Sequence, residues 1–349
     1  MFNTPYLPPL LLKNGLLMTV FIALWMNEYW QKYIDLPEPD YQEHIFTGAN
    51  HVPIFGLFAI PPEAKGTIIA TYGITGNLDN QWFLRIFGRK AFAQGYAVVL
   101  FDWRAHGKTA LLSSTLTSDG LYEGEDFIRI AAEAKNLGCP SKFWFSGYSL
   151  GGQLALWAAK YANPLSDELL SLGLIQEDIG GVAVISPNLD ANRSLTFLES
   201  HPWGKYLEKV IAQNLKKLAQ EIYDTHPDDI DPEAIARANS IWAFDHELVI
   251  KPLGFPNVEA YYQASSPLPF IPHLTTPTLI IYAANDPMFT PVLVPELRSL
   301  CSDNPHVDLL LTEYGGHVAH VSSTKGQQSA NDPDIWWAWN RVLEWIEGQ

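Results

Sequence analysis

Residues 142–161, KFWFSGYSLGGQLALWAAKY, contain the pattern that decides the fold. A short apolar run typical of a buried strand precedes a turn, and a helical apolar pattern follows it. In the turn, Gly147 and Gly151 flank Ser149 two positions away on either side, which permits a sharp bend that projects the hydroxyl above a sheet. The strand, turn and helix together indicate that Ser149 is a nucleophile; the alternative is an ordinary serine that caps the helix.

Short apolar runs alternate with helical patterns along most of the chain. Such continuous apolar runs are typical of parallel strands that are buried on both faces. Parallel strands need crossover connections, so the alternation predicts an α/β fold with a mostly parallel, doubly wound sheet. The predicted strands are residues 67–72, 97–102, 142–146, 181–186, 278–283 and 307–312, and the predicted helices are residues 80–94, 125–137, 150–161, 291–301 and 333–346.

Residues 188–273 interrupt this alternation with helical patterns and no convincing strand. We predict that they form a helical cap inserted into a core made of residues 51–187 and 274–349, with residues 1–50 as an apolar segment packed on the domain. The apolar helical face of the cap consists of Leu207, Val210, Ile211, Leu215, Leu218 and Ile222.

Residues 15–26, GLLMTVFIALWM, are apolar. They span about 18 Å as a helix and fall short of the roughly 20 residues that a bilayer crossing requires. We predict no transmembrane span. Packing on the domain is favoured, with a signal peptide or peripheral lipid contact as alternatives. The two cysteines, Cys139 and Cys301, form no disulfide framework and favour the reducing cytoplasm.

The 349 residues include 38 acidic and 22 basic side chains, which give a net charge of −16. This charge repels phosphate backbones, so nucleic acid is excluded as a partner. Hydrophobic residues make up 47% of the chain and charged residues 17%, a composition too apolar for disorder. We therefore expect a compactly folded protein.

A serine hydroxyl becomes nucleophilic when a base takes its proton and an acid orients that base. In open α/β sheets, reacting groups gather beyond the carboxyl ends of the strands. Asp286 and His317 each follow a predicted strand, whereas Asp303 and His306 precede one and fall at the opposite rim. We therefore predict that His317 is the base for Ser149 and that Asp286 orients it.

His320 is the main alternative base, three residues after His317. We favour His317 because the preceding glycine pair lets its imidazole swing over the sheet. With no third ligand in view, the two histidines do not indicate a metal site. Gly107-Lys108-Thr109 lacks the glycine that a phosphate loop requires five positions earlier, and no dinucleotide fingerprint occurs. We predict neither a metal nor a cofactor.

An acyl-transfer site also needs donors for the negative oxygen of its intermediate. The amide of Leu150, directly after Ser149, is one candidate. The loop after the first predicted strand supplies the second candidate, the amide of Ile74, next to Gly73.

The sequence resembles the YheT-type branch of the α/β-hydrolases, which is related to the α/β-hydrolase-domain-containing proteins one to three. The resemblance covers nearly the whole chain. The shared motifs are Pro8-Pro9, Asn14-Gly15, Gly73-Ile74-Thr75-Gly76, Gly147-Tyr148-Ser149-Leu150-Gly151-Gly152, Gly254-Phe255, Tyr261-Tyr262, Ser265-Ser266, Pro277-Thr278-Leu279, Asp286-Pro287 and Gly315-Gly316-His317-Val318.

The resemblance implies an α/β-hydrolase fold with Ser149 as nucleophile, Asp286 as acid and His317 as base. It implies ester hydrolysis, and it makes the apolar N-terminal stretch a family feature instead of a signal. The sequence departs from the family in two places. Tyr72-Gly73 stands where many relatives have His-Gly, and Arg104-Ala105-His106-Gly107 stands where relatives often have Arg-Gly.

We predict a serine hydrolase that cleaves small carboxylic esters, either short- or medium-chain esters or acylglycerols, through an acyl-enzyme. The alternatives are an acyltransferase or amidase with the same residues, and a non-catalytic binding protein with the same fold. The aromatic-rich residues 197–206 and 336–339 are candidates for an apolar pocket lining, with core packing as the alternative.

Overall fold

An eight-stranded sheet forms the centre of the computed structural model, which describes residues 5–349. Its strands are β1 (Gln42–Thr47), β2 (Pro53–Ala59), β3 (Thr67–Thr71), β4 (Ala97–Phe101), β5 (Phe143–Tyr148), β6 (Ile179–Ile185), β7 (Thr278–Ala283) and β8 (Val307–Thr312). They are ordered β1-β2-β4-β3-β5-β6-β7-β8. β2 is antiparallel to both of its neighbours, and all other pairs are parallel.

Helices connect successive parallel strands and fill the segment between β6 and β7. They are α1 (Gly15–Phe21), α2 (Asn27–Tyr29), α3 (Trp82–Ala93), α4 (Gly107–Leu112), α5 (Glu123–Asn136), α6 (Leu150–Tyr161), α7 (Asp167–Leu170), α8 (Ala191–Glu199), α9 (Pro202–Thr225), α10 (Pro232–Arg237), α11 (Ile241–Phe244), α12 (Ile250–Leu253), α13 (Val258–Ser265), α14 (Leu293–Ser302), α15 (Thr324–Ala330) and α16 (Trp337–Glu347). A π turn at Ile22–Met26 joins α1 to α2.

The predicted fold class is confirmed, and the six predicted strands correspond to β3 through β8. The hairpin of β1 and β2 is missing from the prediction. β1 lies at the edge of the sheet, where only its Phe46 is buried, so no continuous apolar run marks it in the sequence. The sheet therefore begins earlier in the chain than the sequence pattern indicates.

Between β6 and β7, the described chain contains helices and no strand. Apolar side chains of this segment form a hydrophobic cluster of their own, apart from the core around the sheet. We call it the cap cluster; its members include Ile211, Leu215, Leu218, Ala219 and Ile222 of α9 and Phe244 of α11. The boundaries of the cap at residues 188 and 273 stay a prediction.

The N-terminal apolar segment packs one of its sides on the domain. Met18, Ile22, Met26 and Trp30 are buried and belong to the core around the sheet. Among residues 5–349, no helix is both long enough and apolar enough to cross a membrane.

Candidate active site

Ser149 lies in a sharp turn between β5 and α6, with φ 55° and ψ −128°. A positive φ is uncommon for a residue with a side chain and marks a turn that its surroundings hold in place. A Cβ at Gly147 would lie 2.3 Å from the carbonyl oxygen of Gly151, and a Cβ at Gly151 would lie 2.3 Å from that of Tyr72. The flanking glycines are therefore required by close backbone packing, and they allow the turn to present Ser149.

His317 connects Ser149 to Asp286. Its Nε2 lies 2.9 Å from Oγ of Ser149, and its Nδ1 lies 2.9 Å from Oδ2 of Asp286. Because the Asp286 carboxylate accepts the Nδ1 proton, Nε2 is left to accept the proton of the serine hydroxyl. The Asp286 side chain is 1% exposed and that of His317 is 12% exposed, so little water reaches the bond between them. The arrangement can deprotonate a serine hydroxyl at the carboxyl ends of the strands.

Contacts from three distant parts of the chain fix the loop that carries His317. Oγ1 of Thr19 in α1 accepts the His317 amide proton at 2.9 Å. Oδ1 of Asn285 accepts from the preceding amide at 3.1 Å, and Oγ of Ser186 accepts from the following amide at 3.2 Å. The sequence prediction missed these three residues. Thr19 lies 298 positions from His317, so no local pattern could signal their contact.

His320, the alternative base, is fully buried and bonded elsewhere. Its Nε2 lies 3.1 Å from Oγ1 of Thr312, and its ring stacks on Trp337 with centroids 5.7 Å apart. Burial lowers the pKa of His320 to about 3, so its ring stays neutral near pH 7. His320 therefore packs the loop, while His317 contacts Ser149.

Because His106 and His320 are buried, we predict that the protein loses stability in acid. Burial lowers the pKa of each from 6.5 to about 3. Between these values the unfolded chain binds more protons than the folded protein, so the free energy of unfolding falls as the pH falls through this window. Each histidine adds a slope of up to about 1.4 kcal/mol per pH unit.

Urea unfolding at a series of pH values between about 4 and 6.5 measures this slope. We expect His320→Gln to make the slope shallower than in the wild type. His273→Gln is the control, because His273 is exposed in the folded protein. Identical slopes for the wild type and His320→Gln would contradict the prediction.

The amide of Leu150 and the loop that contains Ile74 lie close to Ser149. Leu150 is the first residue of α6, so its amide has no acceptor within the helix. The loop after β3 also approaches the serine: a Cβ at Gly73 would lie 2.9 Å from Cβ and 3.3 Å from Oγ of Ser149. Ile74 follows Gly73 in this loop. The assignment of the Leu150 and Ile74 amides as oxyanion donors stays a prediction.

Gly73→Val tests the role of this loop. The added side chain would overlap with Ser149 and force the loop away from it. We expect kcat/KM for ester hydrolysis to fall by about 10² or more, the typical effect of losing one oxyanion donor. Gly348→Val at the chain end, where a Cβ meets no atom closer than 3.4 Å, is the control. Wild-type kinetics in a folded Gly73→Val protein would exclude the loop from the site.

His106 and Asp102 hold the loop after β3 in a network that the sequence prediction missed. Nε2 of His106 accepts a hydrogen bond from the Thr75 amide at 3.1 Å, and Nδ1 lies 2.9 Å from the carbonyl oxygen of Arg104. The Tyr72 hydroxyl donates to the Asp102 carboxylate. Tyr72 and His106 occur in the two motifs that depart from the family resemblance. Both departures therefore supply side chains that hold this loop.

A cavity with a volume of about 130 Å³ lies beside Ser149. Apolar side chains from the core and from the helical segment form most of its wall. They include Ile74, Leu150 and Phe289 from the core and Leu198, Ile211 and Leu215 from α8 and α9. Some residues of the cap cluster therefore also form part of the cavity wall.

The predicted aromatic stretches contribute little to this wall. Among the described residues, only Leu198 of residues 197–206, and none of residues 336–339, lines the cavity. Trp339 instead stacks on Phe87 in the core at 4.1 Å, and Tyr206 is 71% exposed. Of the two alternatives for residues 336–339, the structure therefore supports core packing, which residue type alone does not distinguish from a pocket lining.

Two buried carboxyl groups, Asp119 and Asp245, also line the cavity. Burial, together with repulsion from Glu123, raises the pKa of Asp119 to about 7. Burial and the nearby Asp119 raise the pKa of Asp245 well above its usual value, and the Tyr262 hydroxyl donates to this carboxyl group at 2.5 Å. Both shifts favour the uncharged form of the carboxyl group, which limits the negative charge in an apolar cavity.

Residues 66–324 match the alpha/beta hydrolase fold family. "Putative esterase slr0264" from Synechocystis sp. is 50% identical over 98% of this chain and 94% of its own length. The monoacylglycerol lipase of Saccharomyces cerevisiae is 25% identical over 78% of this chain and 58% of its own length. "Putative esterase YheT" from Escherichia coli is 26% identical over 57% of this chain and 53% of its own length. The alignments thus cover little more than half of these last two proteins.

Solved structures share the fold at low sequence identity. The Pyrococcus furiosus esterase Pf2001 has a TM-score of 0.52 and 18% identity, over 88% of this chain and 92% of that one. At this identity the likeness shows the fold alone. The family match and the 50% identical relative show the family. The chain belongs to the alpha/beta hydrolase family, with YheT among its relatives, as the sequence motifs predict.

Proposed function

We propose that the protein is a serine hydrolase that cleaves carboxylic esters. The observation that carries this proposal is the hydrogen-bonded chain from Ser149 through His317 to Asp286, beside an apolar cavity. The same side-chain types in the same connectivity activate serine in hydrolases of unrelated folds. The names of two relatives, an esterase and a monoacylglycerol lipase, agree with ester substrates.

The proposed reaction begins when Nε2 of His317 takes the Ser149 proton as Oγ attacks the ester carbonyl carbon. The amides of Leu150 and Ile74 donate to the resulting negative oxygen, while Asp286 stabilises the imidazolium. His317 then gives its proton to the departing alcohol, and Ser149 is left acylated. A water molecule that His317 deprotonates attacks the acyl-enzyme, which releases the acid and restores the serine.

The first test is hydrolysis of p-nitrophenyl butyrate, with covalent labelling by a fluorophosphonate probe as a second readout. We expect turnover, one label per chain, and the label on the peptide that contains Ser149. Added alcohols distinguish hydrolysis from acyl transfer, because a transferase would form the new ester in preference to the acid. A folded protein that neither turns over nor takes the label would overturn the proposal.

The size of the cavity leads us to propose a short acyl chain. Its volume of about 130 Å³ is close to that of an apolar protein cavity of about 150 Å³ that binds benzene. This volume suits acyl groups of about four to six carbons. A longer chain would have to displace wall residues such as Ile211 and Leu215 of α9.

A series of p-nitrophenyl esters from acetate to laurate measures this preference. We expect kcat/KM to be highest at about four to six carbons and to fall steeply beyond them. Leu215→Ala removes part of the wall and so enlarges the cavity, which should move the optimum to longer acyl chains. Leu170→Ala, at an exposed position in α7, should leave the optimum in place. An optimum at laurate in the wild type would contradict the proposed acyl size.

We also propose that the protein acts in the cytoplasm. Cys139 and Cys301 are both unpaired and buried. Unpaired thiols are typical of proteins in a reducing compartment.

A further inference from the structure

The N-terminal segment exposes an apolar surface, although its other side packs on the domain. Leu11 is 82% exposed and Leu24 is 69% exposed, while Met18 and Met26 of the same segment are fully buried. Helices on the surface of globular proteins normally present polar side chains on the outward side. We call this surface the docking face; it consists of Leu10, Leu11, Leu17, Val20, Leu24 and Trp25.

The residues around the docking face are those found where proteins meet lipid. Trp25 packs against Tyr29 at a centroid distance of 4.6 Å, and Nζ of Lys32 lies 4.6 Å from the same tyrosine ring. Amphipathic rings and lysines occupy the headgroup level, while leucines enter the acyl region. No helix among residues 5–349 is both long enough and apolar enough to cross the bilayer. If a segment of this composition binds lipid, it would lie in the plane of the lipid surface.

Charge favours lipid over a second copy of the chain as the occupant. Residues 1–34 contain two lysines and one glutamate, a net charge of +1, whereas the whole chain carries −16. The net charge of −16 makes two copies of the chain repel each other, and it makes the chain as a whole repel an anionic membrane. An uncharged or zwitterionic lipid surface imposes neither cost.

The same N-terminal segment also makes hydrogen bonds to the loops that carry the candidate active site. Thr19 in α1 accepts the amide proton of His317, and the Lys13 carbonyl oxygen accepts from Nδ2 of Asn285 at 2.8 Å. His317 in turn lies 2.9 Å from Oγ of Ser149. A lipid surface that binds α1 would therefore lie near the residues that we propose to cleave esters.

We infer that the docking face binds the enzyme to an uncharged lipid surface and brings the site to esters dissolved there. The substrate part of this inference rests on the proposed function. The binding part rests on the exposed apolar side chains and on the charge of the segment, and it can be measured without any turnover.

The test is co-flotation of the full-length protein with phosphatidylcholine vesicles. We expect the wild type to float with the vesicles. The vesicle-bound fraction of the double variant Leu11→Glu, Leu24→Glu should be at least about tenfold lower, because two charges would have to enter the apolar layer. The matched control is Leu170→Glu, Ile175→Glu, which adds the same charge at two other exposed apolar positions. This control should float like the wild type.

Activity provides the second readout. We expect the Leu11→Glu, Leu24→Glu variant to keep its kcat/KM on soluble p-nitrophenyl butyrate within about twofold and to lose about tenfold on an ester held in the vesicles. A wild type that stays in solution, or a variant that floats equally well, would overturn the inference. So would sedimentation showing that the wild type is a dimer and the variant a monomer. Flotation without any ester turnover would instead overturn the proposed function alone.

Discussion

Ser149→Ala should abolish ester hydrolysis, with kcat falling by about 10⁶. The variant removes the only atom that we propose to bond to the acyl carbon, and neither His317 nor the oxyanion donors can replace it. Fluorophosphonate labelling should disappear as well. The thermal midpoint should stay close to that of the wild type, because the lost hydroxyl makes a single hydrogen bond to His317 at the site.

Ser146→Ala is the matched control for this result. Ser146 lies three residues earlier, in β5, and its hydroxyl donates to the carbonyl oxygen of Ala183 at 2.7 Å. This variant should keep turnover and labelling, although it loses a buried hydrogen bond. If Ser149→Ala retained more than about 1% of the wild-type kcat, a different nucleophile would have to be sought.

Asp286→Asn should lower kcat by about 10⁴ with little change in the position of the imidazole. An amide at this position can donate to Nδ1 of His317, which stabilises the tautomer with its proton on Nε2. That tautomer cannot accept the proton of Ser149. Steady-state kinetics on p-nitrophenyl butyrate measure the loss, and slow residual labelling would show that Ser149 is still in place.

Asp303→Asn provides the control, since Asp303 is an exposed acid that precedes β8 at the opposite rim of the sheet. We expect wild-type kinetics from it. Equal losses in both variants would point to a general effect of charge. Full activity in Asp286→Asn would remove Asp286 from the mechanism.

The parts of the molecule that follow from sequence are those fixed by local pattern. The parallel strands are buried on both faces, so they appear as continuous apolar runs. The rule that reacting groups gather at the carboxyl ends of strands selected Asp286 and His317 over Asp303 and His306. The structure places His317 within hydrogen-bonding distance of both Ser149 and Asp286.

The parts that the sequence prediction missed depend on contacts between distant segments. Thr19 supports His317 from 298 positions away in the chain, and His106 supports Thr75 through a neutral ring whose role no motif reveals. Tertiary packing also determines whether the tryptophans near the C-terminus lie in the core or line the pocket, because a buried indole fits either place equally well. A sequence pattern identifies side chains but does not show which distant residues they contact.

The cap cluster has a consequence for how such an enzyme diverges. Some of its residues line the cavity beside Ser149, and the cluster lies apart from the core around the sheet. If the protein is the ester hydrolase that we propose, substitutions there would change its acyl preference while the sheet and the serine turn persist. Such substitutions would carry a low risk of misfolding. Duplicated copies of the gene would therefore be expected to differ first at these positions.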